Sequence, residues 1–202
     1  LHKKDPEKAA AYFKALIATF PQSPHRAIAF YGLAQSSYTA THYQEALRWL
    51  DKFNRETPGH QLGVQATFLM GKTLLATGKA MEATSQFEKV LRLKTGRGRK
   101  HAEALKGLAE AALQLGEEAK AIAYYQRIYT LYRAYPGLVS EAYFQSGLLF
   151  EKRGDLQAAK KTFDEMLTDP RLQEASQIEE AIKARKRIVS LLPKTPVGSI
   201  AP

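Results

Sequence analysis

Residues 77–90 read Thr77-Gly78-Lys79-Ala80-Met81-Glu82-Ala83-Thr84-Ser85-Gln86-Phe87-Glu88-Lys89-Val90, and the reading of this stretch decides the fold. A turn glycine is followed by Ala83, and apolar residues stand four and seven positions beyond it, at Phe87 and Val90. Spacings of three and four place such side chains on one stripe of a helix. The arrangement recurs along the chain. Thr41-His42-Tyr43-Gln44-Glu45-Ala46 leads to Leu50 and Phe53, Leu115-Gly116-Glu117-Glu118-Ala119-Lys120-Ala121 to Tyr125 and Ile128, and Arg153-Gly154-Asp155-Leu156-Gln157-Ala158-Ala159 to Phe163 and Met166. A half-copy has Ala9 in the same role, with Phe13 and Leu16. The five alanines are spaced 37, 37, 38 and 38 residues apart, a ladder that marks an internal repeat.

The flanks align as well. Leu33-Ala34, Met70-Gly71, Leu108-Ala109 and Ser146-Gly147 precede the turns, a large-then-small pair in three of the four copies. Pro21, Pro58, Pro136 and Pro170 follow the second helical pattern, where proline is expected to end the helix. One unit is therefore helix, tight turn, helix, loop. Small residues at the crossing let two backbones approach, and large ones wedge between successive hairpins. A single hairpin cannot bury its apolar face, so neighbours must stack into a solenoid.

These residues resemble the tetratricopeptide repeat over roughly positions 5 to 171. The resemblance implies an all-α, right-handed α-solenoid of stacked antiparallel hairpins. The expected units are a half repeat at 5–21, full repeats at about 27–58, 64–95, 102–136 and 140–171, a cap helix at 172–192 and a flexible tail at 193–202. The sequence departs from the family pattern in three ways. The early aromatic position holds Phe30, Thr67, Leu105 and Tyr143, Thr41 stands at a turn glycine, and the period exceeds the usual 34. The longer unit, joined by Phe20-Pro21-Gln22-Ser23-Pro24-His25 and Thr57-Pro58-Gly59-His60, is similar to bacterial cell-envelope repeat proteins of the BamD and CpoB type. That similarity implies a periplasmic or outer-membrane-associated setting. The half-copy opens at its turn, so a longer solenoid upstream is expected, or a fragment boundary that cuts a repeat, with self-association through that N-terminal end as one consequence.

Composition removes chemistries rather than naming one. Thirty Lys and Arg against twenty Asp and Glu give a net charge of +10. Cysteine is absent, which excludes disulfides, thiolate metal sites and a cysteine nucleophile. No run approaches the ~18 apolar residues that span a bilayer. The chain opens on Leu1 with no charged-then-apolar leader, as expected of an excised or processed fragment.

The candidate motifs are weak against their structural alternatives. Gly71-Lys72-Thr73 lacks the glycine five positions earlier, where Ala66 stands, and continues a helical pattern, so it is no phosphate loop. The five histidines, at 2, 25, 42, 60 and 101, have no short ligand spacing, and His25 and His60 match because the loops repeat. Glu117-Glu118 and Glu179-Glu180 read as solvated helix positions. No catalytic residue, metal, cofactor or small-molecule substrate is expected, and the chain is expected to be no enzyme.

Two binding surfaces remain. In the resembled family the first helices line the concave face at their second, fifth, ninth and twelfth positions. Carried onto this chain these are Ile28, Tyr31, Gln35 and Tyr38, then Gln65, Phe68, Lys72 and Leu75, then Glu103, Lys106, Glu110 and Leu113, then Glu141, Phe144, Leu148 and Glu151. Glu110 takes the place where the family's carboxylate clamp has Asn, which argues against capture of a terminal carboxylate. The expected groove is Tyr31, Gln35, Tyr38, Phe68, Lys72, Leu75, Lys106, Glu110, Phe144 and Leu148, suited to an amphipathic helix or extended peptide of a partner protein. The second surface is the basic run 92–100, whose Arg92, Lys94, Arg97, Arg99 and Lys100 would attract an anionic membrane face, nucleic acid or acidic partner, helped by cap-helix cations.

Overall fold

Each tight turn in the computed structural model closes with the same pair of backbone hydrogen bonds. The structure describes residues 6–93 and 97–193, and the side chains from residue 8. In the turn after residue 76, Lys79 N donates to Leu74 O (2.9 Å) and Gly78 N to Leu75 O (3.1 Å). The same two bonds run from His42 and Thr41, from Glu117 and Gly116, and from Asp155 and Gly154. This six-to-one closure requires a left-handed residue just past the helix. Gly78, Gly116 and Gly154 supply it with φ of 75°, 76° and 78°, whereas Thr41 adopts φ 61° with a branched Cβ in a region such residues avoid.

Among the described residues these turns and the longer loops separate ten α-helices, with no strand between them. Two compact units are distinguished, residues 1–117 and 118–202. The first holds α1 (Pro6–Thr19), α2 (Arg26–Thr39), α3 (Tyr43–Glu56), α4 (Gly63–Ala76), α5 (Ala80–Arg92) and α6 (Arg99–Gln114). The second holds α7 (Glu118–Leu131), α8 (Pro136–Lys152), α9 (Leu156–Thr168), a 3-10 turn at Pro170–Leu172, and α10 (Ile178–Leu191). Within each unit consecutive helices pack as antiparallel pairs, and in unit 1 the first helices α2, α4 and α6 also touch one another.

The ladder alanines explain the packing. Ala46, Ala83, Ala121 and Ala159 are wholly buried, as are Phe87, Val90, Phe163 and Met166 four and seven residues further on. In unit 1, Ala27, Phe30, Ala34, Leu50, Phe53 and Ala66 form one cluster. The Phe87 ring lies between two glycines. A Cβ at Gly71 of α4 would come within 2.8 Å of it, and one at Gly107 of α6 within 2.4 Å. Unit 2 repeats the device with Phe163 against Gly147, where a Cβ would stand 2.6 Å away. These contacts place the second helix's ring directly on the first helix's backbone, which only glycine permits.

Three boundaries differ from the sequence expectation. Pro136 begins α8 instead of ending α7, which stops at Leu131. Proline's missing N–H is harmless at the first turn of a helix, so the residue serves as a start. Pro170 likewise opens the 3-10 turn, where the Asp169 side chain accepts from Arg171 N at 3.0 Å. The segment 172–192, expected as one helix, is helical only from Ile178, and Ala175 sits in the preceding loop. Lys94 and residues 194–202 fall outside the described residues.

α10 occupies the phase of another first helix. Ile178 follows Ser140 by 38 residues, and Ser140 Oγ donates to Gln177 Oε1 at 2.7 Å just before it. Ala181, Ala184 and Ile188 are buried against Val139, Phe163 and Met166. Position by position, Ile182 stands where α8 has Phe144, and Arg185 where it has Gly147.

Candidate functional site

The fold places the expected groove residues on two faces, one in each unit. In unit 1 the residues of α2, α4 and α6 stand on neighbouring helices. Tyr31, Tyr38, Phe68 and Leu75 are half-buried, and Gln35 and Lys72 exposed. Burial pushes the Tyr31 hydroxyl's pKa above its ordinary value, so the group stays neutral. Lys72 reaches from α4 to hold its ammonium 4.8 Å above the Tyr38 ring on α2. Lys100 of α6 does the same over Phe68 of α4, at 4.5 Å. Gln114 Nε2 donates to Leu75 O at 3.2 Å, tying α6 to α4 once more. Half-buried rings topped by ammonium groups offer an apolar surface and positive charge together.

Lys106 and Glu110 pair with each other along α6 at 3.7 Å. The Glu110 carboxylate therefore sits beside the Lys106 ammonium.

In unit 2, Phe144 and Leu148 are half-buried and pack against the core around Phe163 and Met166. The Phe144 and Phe163 rings meet edge-on with centroids 6.1 Å apart. Phe68 is comparable in unit 1, with its ring 5.8 Å from Phe87. These two phenylalanines thus have a packing role alongside any part in recognition. Glu151, the last groove position of α8, is held by Arg187 of α10 through two bonds of 2.7 Å. The hydrogen bonds from Arg187 hold the Glu151 carboxyl below its ordinary 4.5.

The basic run is not a free cluster of charge. Arg99 Nε and Lys100 Nζ both bind Glu103, at 3.0 and 2.5 Å, and Arg92 lies 3.8 Å from Glu88. Burial raises the Glu103 carboxyl, but the hydrogen bonds from Lys100 and Arg99 outweigh it and leave the pKa lowered. His101 is buried in α6 with Nε2 3.1 Å from Leu93 O, so it joins the two ends of the loop. His60 accepts from Leu62 N through Nδ1 at 3.1 Å and meets the Phe53 ring edge-on, a loop-closing role. Among the described residues no group of three metal-ligating side chains comes together, and no helix is long and apolar enough to cross a membrane.

Sequence reasoning read this segment as an amphipathic cap helix but assigned its apolar residues to no binding surface. Ile182, Val189 and Leu191 are 51%, 42% and 59% exposed. The signal was present in the period, since Ile178 is in register with Ser140.

Stacked helix pairs that carry a strip of half-buried rings define a helical-repeat scaffold of the protein-interaction class. Residues 68–139 and 141–169 each match a family model described as tetratricopeptide repeat, and residues 1–89 match one described as outer membrane lipoprotein. The chain belongs to the tetratricopeptide-repeat family. Solved structures agree on the fold. YrrB, described as "a TPR protein with an unusual peptide-binding site", is 21% identical with a TM-score of 0.63, covering 91% of this chain and 84% of its own. MamA is 16% identical with a TM-score of 0.64, over 94% and 99%. TTC0263 of Thermus thermophilus is 19% identical with a TM-score of 0.56, over 93% and 91%. No curated protein matches the sequence. None of the families matched is an enzyme family.

Proposed function

We propose that unit 1 holds a peptide or amphipathic helix of a partner protein on the face of α2, α4 and α6. The observation that carries this reading is the pair of cation-topped rings, Lys72 over Tyr38 and Lys100 over Phe68, with each cation on the helix next to the ring's own. Aromatic rings are among the side chains that dominate recognition, and Lys72 stands exposed beside Tyr38 while Lys100, paired with Glu103, is half-buried beside Phe68. The peptide-binding site described for YrrB supports it by analogy of fold. The setting proposed is a bacterial envelope assembly, supported by the outer-membrane-lipoprotein match over residues 1–89. Gln35, exposed on α2, adds a neutral donor and acceptor to the same face.

The reading of the basic run as an anionic-surface site is weaker, because Glu88 pairs with Arg92 and Glu103 with both Arg99 and Lys100, which offsets part of the run's positive charge. The test is photo-crosslinking from position 38 or 72 in cells, followed by binding measurements on the captured partner. Tyr38→Ala with Lys72→Ala is expected to weaken that complex by about 10-fold or more, roughly 1.4 kcal/mol, with little change in melting temperature. Equal capture by the double variant would remove this face from the function.

A further inference from the structure

In two hairpins of this chain, α4–α5 and α8–α9, the second helix seats an aromatic ring on the same two positions of the first. Phe87 of α5 covers Phe68 and Gly71 of α4, and Phe163 of α9 covers Phe144 and Gly147 of α8. α10 is in register with these first helices, and its corresponding positions are Ile182 and Arg185. Among the described residues no second helix covers them. What remains is a cleft of about 500 Å³ between α9 and α10, lined by Leu167, Thr168, Ile182, Arg185, Lys186 and Val189, and by Asp164, whose carboxylate is paired with Arg185 and Lys160.

The cleft differs from the preceding seats in one decisive residue. Where Gly147 admits the Phe163 ring, Arg185 projects a long cation, and its Nε donates to Asp164 of α9. A second helix of the ordinary pattern, bringing an aromatic ring to this point, would meet the guanidinium instead of a bare backbone. Charge gives the other half of the specification. Among the described residues the ion pairs of α10 are those of Arg185 with Asp164 and Arg187 with Glu151, while Lys183 and Lys186 stand exposed at the cleft and beside it. An apolar stripe of Leu167, Ile182 and Val189 bordered by cations is complementary to an amphipathic helix with carboxylates on its flank.

We infer that the α9–α10 cleft is a docking site for an acidic amphipathic helix of a partner protein, which takes the place of a second helix. The docked helix has aliphatic residues at helical spacing over Ile182 and Val189, a small residue opposite Arg185, and Asp or Glu facing Lys186. This inference does not rest on the face proposed in unit 1.

The experiment uses the full chain and a displayed library of amphipathic helical peptides about four turns long, with randomised flanks. The expected enrichment is of peptides with an aliphatic stripe and acidic flank. Their affinity is expected to fall about 10-fold or more on Ile182→Asp. It is also expected to fall on Lys186→Glu and to return when the peptide's acid is exchanged for Lys. Tyr38→Ala should leave it unchanged. Ile182 is about half exposed, so its substitution tests contact without emptying a core. An empty selection, neutral or basic winners, or winners indifferent to Ile182→Asp would overturn the inference. Binding that strengthens when residues 194–202 are deleted would overturn it too, by assigning the cleft to the chain's own C-terminal segment.

Discussion

The first-helix positions of unit 1 and unit 2 come from the same repeat but are used differently. In unit 1 a lysine from the adjacent first helix rests on two of the rings at these positions, Tyr38 and Phe68. In unit 2, Phe144 leans on Phe163, Leu148 packs into the core, and Glu151 is tied to Arg187 of α10. The comparison shows that a repeat position states where a side chain stands, not what it does. Its role depends on what the neighbouring helix brings to it.

Substitutions can break this comparison at its strongest point first. Phe87→Ala and Phe163→Ala each remove a wholly buried ring and should cost about 3–5 kcal/mol in urea unfolding. Phe87 is gripped by glycines on both sides, so its loss should fall at the upper end of that range. The next test separates the two faces. Phe144→Ala is expected to destabilise unit 2 by about 2 kcal/mol, because it exposes part of the Phe163 seat, whereas Tyr38→Ala should stay below about 1 kcal/mol. Equal losses would mean that the unit 1 face is ordinary core.

Thr41→Gly sharpens the reading of the turns. The left-handed φ of 61° strains a branched residue, so glycine should raise stability by up to about 1 kcal/mol despite its greater unfolded-state freedom. The smallest effect belongs to the Glu151–Arg187 pair. Glu151→Gln should cost under about 1 kcal/mol, as expected of a partly exposed pair. The pH dependence follows from the lowered carboxyl. A depressed folded-state pKa means the pairing stabilises fully above the unfolded value near 4.5 and is lost as pH falls through the lower folded value. Protection factors at the C-terminal half of α10, taken relative to the intrinsic exchange rate at each pH, should therefore fall below about pH 4.5, and Glu151→Gln should reduce that dependence.

The repeat, its phase and most of its core were legible from spacing alone. The ladder alanines at 46, 83, 121 and 159 and the residues four and seven beyond them are buried, because 3.6-residue periodicity ties sequence distance to a common face. The helix starts at Pro136 and Ile178 were less legible, since proline is compatible with a helix's first turn as well as its end. The unit 1 face was half legible. Its residues could be named from the repeat, but the bridging of α4 to α2 by Lys72, and of α6 to α4 by Lys100, pairs residues more than 30 positions apart. The pairing of Arg99 and Lys100 with Glu103 lay close in sequence, at spacings of four and three, and could have been read as ordinary helical ion pairs.

By itself the order of residues determined that helices form, where most of them turn, and which stripe of each is buried, because those properties depend on contacts within a few residues. Only the tertiary structure decided which rings carry a cation, which groove positions are spent on packing, and that the α9–α10 cleft has no second helix over it among the described residues. Those outcomes depend on side chains brought together from separate helices, and local periodicity does not encode their approach.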